Sequence, residues 1–254
     1  VRDAVLISVL MPGNEDVLVG IQEAGAPELK LRPAPTGDVR LTDEMIAAYI
    51  EISEQLYAGI MSGEGGEDIV DGHSFGKYAP LAAAERRLMQ LARAEPQLVV
   101  QVLAESSAAE HRTAAAKALS YLADKRVIVR ELSKAMLDAD ATVRNNATRA
   151  LSILVKWVVD LPDPNPAIAR TPDQDAAKPS KAVLVQLLQD ELDPTPLLTM
   201  LESLTWTDRN KASALLASLV QLPNEALQKS LRTESLPALA EMAKWHSRGH
   251  ALFA

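Results

Sequence analysis

The chain has 254 residues, with 26 basic and 34 acidic side chains, a net charge of −8 and 48% hydrophobic residues. That apolar content excludes disorder as a whole-chain description, and the absence of cysteine excludes disulfides, thiolate-metal centres and a cysteine nucleophile together. Aromatics are 4% while Ala, Leu and Val abound, a balance that suits close-packed helices better than a β-sandwich, and the acidic total argues against a nucleic-acid coat.

Residues 1–41 do not read as helix. Val5–Leu10 and Val17–Ile21 are short β-rich runs separated by Pro12-Gly13-Asn14, so a hairpin is expected there. Pro27, Pro33 and Pro35 then impose an extended stretch, because proline fixes φ and removes a donor. The pattern changes at Thr42, an N-cap followed by Asp43 and Glu44. Met45, Ile46, Tyr49, Ile50, Leu56, Tyr57 and Ile60 recur at helical spacing up to Gly63, Gly65 and Gly66. Residues 62–78 read as a glycine-rich acidic loop. Helices are expected at about 80–93 and 96–105, the second with Pro96 in its first turn.

Residues 108–156 repeat themselves. Arg112/Arg144, Ala115/Ala147, Lys117/Arg149, Ala118/Ala150, Leu119/Leu151, Ser120/Ser152 and Leu122/Leu154 coincide at an offset of 32. A weaker copy begins at Asp208, where Arg209, Asn210, Ala212, Leu216 and Leu219 match Arg144, Asn145, Ala147, Leu151 and Leu154 at an offset of 65. A fixed period of helical units is the mark of an α-solenoid. The run Leu132-x-x-Ala135-Met136-Leu137-Asp138-Ala139-Asp140, followed by Val143-Arg144-x-x-Ala147-x-x-Ala150-Leu151, resembles a HEAT repeat of the armadillo-like superfamily. The resemblance implies a mainly α fold, a HEAT-like superhelix of antiparallel helix pairs over 42–254, to which residues 1–41, read above as hairpin and extended chain, would add an N-terminal cap. It also implies that second helices line the concave side. Small alanines let neighbouring helices approach, leucines fill the seam, Asp138 and Asp140 cap, and Arg112, Arg144 and Arg209 pair with carboxylates in the turns.

Five prolines among acids interrupt the array at 161–180, which reads as an exposed loop. Helices resume at 182–192, 196–204, 207–221, 224–231 and 235–245. The sequence begins at Val1 and ends at Ala254 shortly after Gly249, where a further helix is expected; the compartment stays open.

No arrangement of residues asks for catalysis. There is no Gly-x-Ser-x-Gly elbow, and Gly63-Glu64-Gly65-Gly66 has the wrong charge for a phosphate cradle. His246 and His250 have ligand spacing on a helix but no third partner. His73, in Glu67-Asp68-x-x-Asp71-Gly72-His73, reads as part of a solvated loop, and His111 as a partly exposed helix residue. Trp157, Trp206 and Trp245 sit in apolar runs and read as core. Residues 108–156 carry nine basic against five acidic side chains, and Arg126, Arg130 and Lys134 stand four apart on an expected second helix. They form the candidate concave contact for an acidic protein or peptide. The expected function is a non-enzymatic protein- or peptide-binding scaffold without metal or cofactor. The alternative is a HEAT-like enzyme resembling alkylpurine DNA glycosylases or bilin lyases.

Overall fold

The computed structural model describes residues 30–162, 179–192, 196–197, 200 and 206–222, and the backbone of residues 3–11 and 14–22. Of residues 206, 207, 209 and 210 it likewise describes the backbone. The protein is mainly helical, with small two-stranded antiparallel sheets toward its N-terminal side. The first is the expected hairpin: β1 (Asp3–Met11) pairs with β2 (Asn14–Gln22) in a register running from Asp3↔Gln22 to Met11↔Asn14.

From residue 30 the described chain, with Pro33 and Pro35, forms no helix before Asp43 and runs along the turns between helices; Pro27 lies outside the described residues. The Arg32 amide donates to the Leu137 carbonyl at 2.7 Å, the Gly37 amide to the Glu105 carbonyl at 2.9 Å, and the Leu41 amide to His111 Nδ1 at 3.1 Å. Gly37 is required by that approach, since a Cβ there would lie 2.6 Å from the Glu105 carbonyl oxygen. His111, half-buried as expected of a helix residue, thus holds the entry to the first helix.

Helix α1 (Asp43–Met61) starts where the Thr42 hydroxyl accepts from the Met45 amide at 3.3 Å, with Asp43 and Glu44 at its positive end. Helices α2 (Ala79–Ala94) and α3 (Pro96–Glu105) each carry proline in the first turn, where the missing donor is no loss. Then come α4 (Ala109–Leu119), α5 (Lys125–Ala135) and α6 (Ala141–Asp160). Asp124 caps α5, and Asp140 caps α6 by accepting from the Thr142 and Val143 amides. Helices α7 (Lys181–Glu191) and α8 (Trp206–Leu219) complete the described set.

Helix α4 packs on α3 and α6, α5 on α6 and α7, and α6 on α8. Ala114, Ala115, Ala116 and Ala118 are fully buried on α4, as is Ala147 on α6, so backbones approach closely. Leu119, Leu122, Leu151 and Leu154 fill the seam, none more than 3% exposed. Truncating one such leucine to alanine removes roughly 2–5 kcal/mol of stability, the spread depending on how far the cavity collapses.

The repeat arginines are buried and forked. Arg112 donates to both Asp138 carboxylate oxygens, at 3.0 and 2.9 Å, and to the Ser106 and Ser107 carbonyls. Arg144, 32 residues on, repeats the pattern on Asp208 at 2.8 Å (Nη2–Oδ2) and on the Asp138 and Ala139 carbonyls. Arg112 reaches 26 residues ahead, whereas Arg144 reaches 64. The fork is thus repeated although the second carboxylate lies much farther along the chain. Asp138 joins both levels, also accepting from the Asp140 amide at 2.8 Å.

One expectation is corrected here. Residues 62–78 do not form an irregular loop throughout: β3 (Glu67–Val70) pairs with β4 (His73–Gly76) as a second hairpin. Asp71 (φ 50°) and Gly72 (φ 76°) make its two-residue turn, both on the left-handed side as a primed turn demands. The expected proline-rich loop at 161–180 falls mainly outside the described residues. So do the helices expected at 224–231 and 235–245, Trp245, His246 and His250, and the side chains of Trp206 and Arg209.

Candidate functional site

The second hairpin builds one wall of a cleft of about 550 Å³. Helix α1 supplies Ile52, Leu56 and Ile60, α4 supplies Lys117, α6 supplies Asn145, Arg149 and Ile153, and α8 supplies Lys211. The site thus joins residues far apart in sequence.

Strand β4 is clamped from three sides. Glu85 on α2 is 4% exposed; its Oε2 accepts from the Gly76 amide at 2.7 Å and its Oε1 from Lys117 Nζ at 3.0 Å. Lys117 also lies 4.9 Å from the Tyr121 ring centroid, and Tyr121 stacks on Phe75 at 5.6 Å. Burial lowers the Lys117 ammonium from its ordinary range, and Glu85 only partly opposes this. The Tyr121 hydroxyl donates to the Ser74 carbonyl at 3.3 Å; burial, reinforced by Glu85, drives that phenol upward.

His73 is the third clamp. It is 5% exposed, not solvated as the sequence suggested. Its Nδ1 lies 2.7 Å from the Ser120 carbonyl, which can only accept, so Nδ1 carries the proton. The Nε2 lone pair then faces Lys125 Nζ at 3.0 Å and Arg93 Nη2 at 3.2 Å. Burial, then the Lys125 charge, push the imidazole down to about 4, against the pull of the Ser120 carbonyl and Asp71. Burial and Arg93 bring the Lys125 ammonium down to about 7, with Asp71 opposing. Lys125 also lies over Trp157, 5.7 Å from the ring, which packs half-buried against the core. The grouping latches β4 to α2, α4 and α5.

Strand β3 faces outward, and Glu67 is its polar tip toward the cleft. Ser74 Oγ and Arg149 Nη2 both donate to Glu67 Oε2. Burial alone would raise the Glu67 carboxyl, but these two partners outweigh it and hold it below the ordinary carboxylate range. Lys211 is half-buried nearby, lowered by burial and then by the Arg149 charge. Asn146 Nδ2 donates to the Thr113 carbonyl at 3.1 Å and toward Tyr49 Oη at 3.4 Å, joining α6 to α4 and α1. Its neighbour Asn145 behaves otherwise: Oδ1 is buried and has no hydrogen-bond partner among the described residues. On the rim, Leu56 and Ile60 are at least half exposed, and Tyr57 and Met61 extend the same apolar face.

Arg126, Arg130 and Lys134 stand exposed along α5 and do not line this cleft. Glu131 engages two of them, accepting from Arg130 Nε at 2.6 Å and from Lys134 Nζ at 3.1 Å. Arg112, Arg144 and Asp138 are buried at the turns, and Asp140 is the half-buried cap beside them. Sequence reasoning missed the Glu67–Ser74–Arg149 and His73–Lys125 groupings. The signal for both was Asp71-Gly72 between Ile69-Val70 and His73-Ser74-Phe75, a two-residue hairpin turn between short β-prone runs. No protein-family model and no curated protein matches the chain.

Proposed function

We propose that the protein is a non-enzymatic binding module, a HEAT-like α-solenoid that grips an extended peptide or protein segment in the cleft between α1, the second hairpin and helices α4, α6 and α8. Two features support the array. The sequence offset of 32 recurs in space as the Arg112–Asp138 and Arg144–Asp208 pairs, and α4, α6 and α8 pack in succession. Quasi-one-dimensional stacking of this kind yields long, continuous surfaces for extended ligands.

The observation that carries the peptide reading is the Asn145 side-chain carbonyl oxygen, buried in the cleft wall without a donor among the described residues. A buried acceptor left unpaired costs about 1–3 kcal/mol, which a ligand N–H recovers. A main-chain amide supplies that donor at regular intervals, and the aliphatic rim of Leu56 and Ile60 receives side chains beside it. The exposed Arg126–Arg130–Lys134 row on α5 is a second contact surface for an acidic partner, weakened by Glu131.

Selection of random peptides on the full chain tests this reading. Peptides enriched on the wild type should bind roughly tenfold more weakly to Asn145→Leu and to Ile60→Glu. Ile60 is 61% exposed, so its substitution should leave the unfolding midpoint where it was. Enriched peptides that bind both variants as well as wild type place the binding elsewhere.

A further inference from the structure

Three cations enter the cleft from three helices that pack in succession: Lys117 from α4, Arg149 from α6 and Lys211 from α8. Lys117 and Arg149 are the repeat-equivalent positions at an offset of 32. Lys117 is matched by Glu85. Lys211 has no ion-pair partner among the described residues, and Glu67 lies within the field of all three cations. Yet Glu67 comes from no helix of the array. It sits on the outward strand β3, while the hairpin is anchored through β4 by Glu85, Phe75 and His73. The main anchors of the hairpin are thus groups other than this carboxylate.

We infer that the Lys117–Arg149–Lys211 ladder is a receptor for a carboxylate side chain of an extended acidic peptide, whose place Glu67 occupies in the free protein. This rests on the peptide-binding reading of the same cleft and names the chemistry of its occupant. Arg149 and Glu67 are 41% and 36% exposed, so their pair is screened by water and weak, and rotating the Glu67 side chain toward solvent frees the guanidinium. That guanidinium is a planar fork that fits a carboxylate with two parallel bonds. Asn145 Oδ1, on the same helix, asks for a donor at the same time. A peptide brings the N–H and the carboxylate together. A polyanion such as nucleic acid meets Glu64 and Glu85 in the same cleft and a net charge of −8 overall.

The test is fluorescence anisotropy on the full chain with a labelled peptide alternating Glu and Leu, beside its Gln–Leu counterpart. The Glu peptide should bind more tightly than the Gln peptide, and added salt should erode the difference. Glu67→Gln should tighten the Glu peptide by about fivefold, the size expected for releasing one half-exposed ion pair, and leave the Gln peptide unchanged. Arg149→Gln, and independently Lys211→Gln in case the first disturbs the hairpin, should abolish the preference. Equal binding of both peptides by wild type and Glu67→Gln overturns the carboxylate receptor and leaves the peptide reading standing. Binding of neither peptide overturns both.

Discussion

Helices α4, α6 and α8 each contribute to two ladders that differ in almost every physical respect. Near the helix starts, Arg112, Arg144 and Asp208 form a buried ladder with Asp138, in which side chains are at most 7% exposed and each guanidinium also donates to two carbonyls. Farther along the same helices, Lys117, Arg149 and Lys211 form a ladder that borders open space and draws its carboxylates from other elements, Glu85 on α2 and Glu67 on β3. The first is saturated, so it specifies how successive helices stack. In the second, Lys211 has no ion-pair partner among the described residues, and the proposed peptide carboxylate would supply one. Arg144 and Arg149, the same residue type five positions apart on one helix, thus differ in burial and in the number of partners they find.

The largest effect should come from breaking the saturated ladder. Asp138→Ala strands Arg112 in a site where it is 2% exposed and should lower the unfolding free energy by about 3–5 kcal/mol in urea titration. A loss below about 1 kcal/mol would mean that the buried forks do not hold the stack. Next is the latch behind the open ladder. His73 is depressed from 6.5 to about 4 in the folded chain, so the unfolded chain binds its proton more tightly. Its contribution is intact above pH 6.5, declines as pH falls through that window, and is fully lost below about 4, a total of roughly 3 kcal/mol at most. His73→Gln should remove that segment of the pH dependence, read as the difference between the two stability–pH curves. Parallel curves would show that the imidazole is not held neutral. The smallest effect belongs to the exposed row on α5. Replacing Arg130 and Lys134 by alanine should leave the unfolding midpoint unchanged, because both cations are exposed, and should reduce acidic-peptide binding less than Arg149→Gln does.

Much of the scaffold was legible from the residues. The period of 32 located the arginine forks before any geometry, because a residue that must pair in each turn recurs with the turn. The caps Thr42 and Asp140 were legible because they act locally, through amides two or three residues away. The cleft was harder for a physical reason. Its groups converge from residues 49 to 211, and no local pattern encodes that Glu67 meets Arg149 82 residues later. The acidic loop looked solvated because its charges were counted without their partners. The Asp71-Gly72 turn turns β4 inward, which buries His73, Ser74 and Phe75 and leaves β3 outside. The row on α5 was legible as charge, but Glu131 one residue from Arg130 and three from Lys134 draws both back onto their own helix.

Chemical-shift mapping of the full chain with the alternating Glu–Leu peptide tests the division of labour most directly. The amides of Glu67, Ser74, Asn145, Arg149 and Lys211 should move together and saturate at one midpoint, while those of Arg112, Asp138 and Arg144 stay fixed. Shifts confined to Arg126, Arg130 and Lys134, with the cleft silent, would contradict the account.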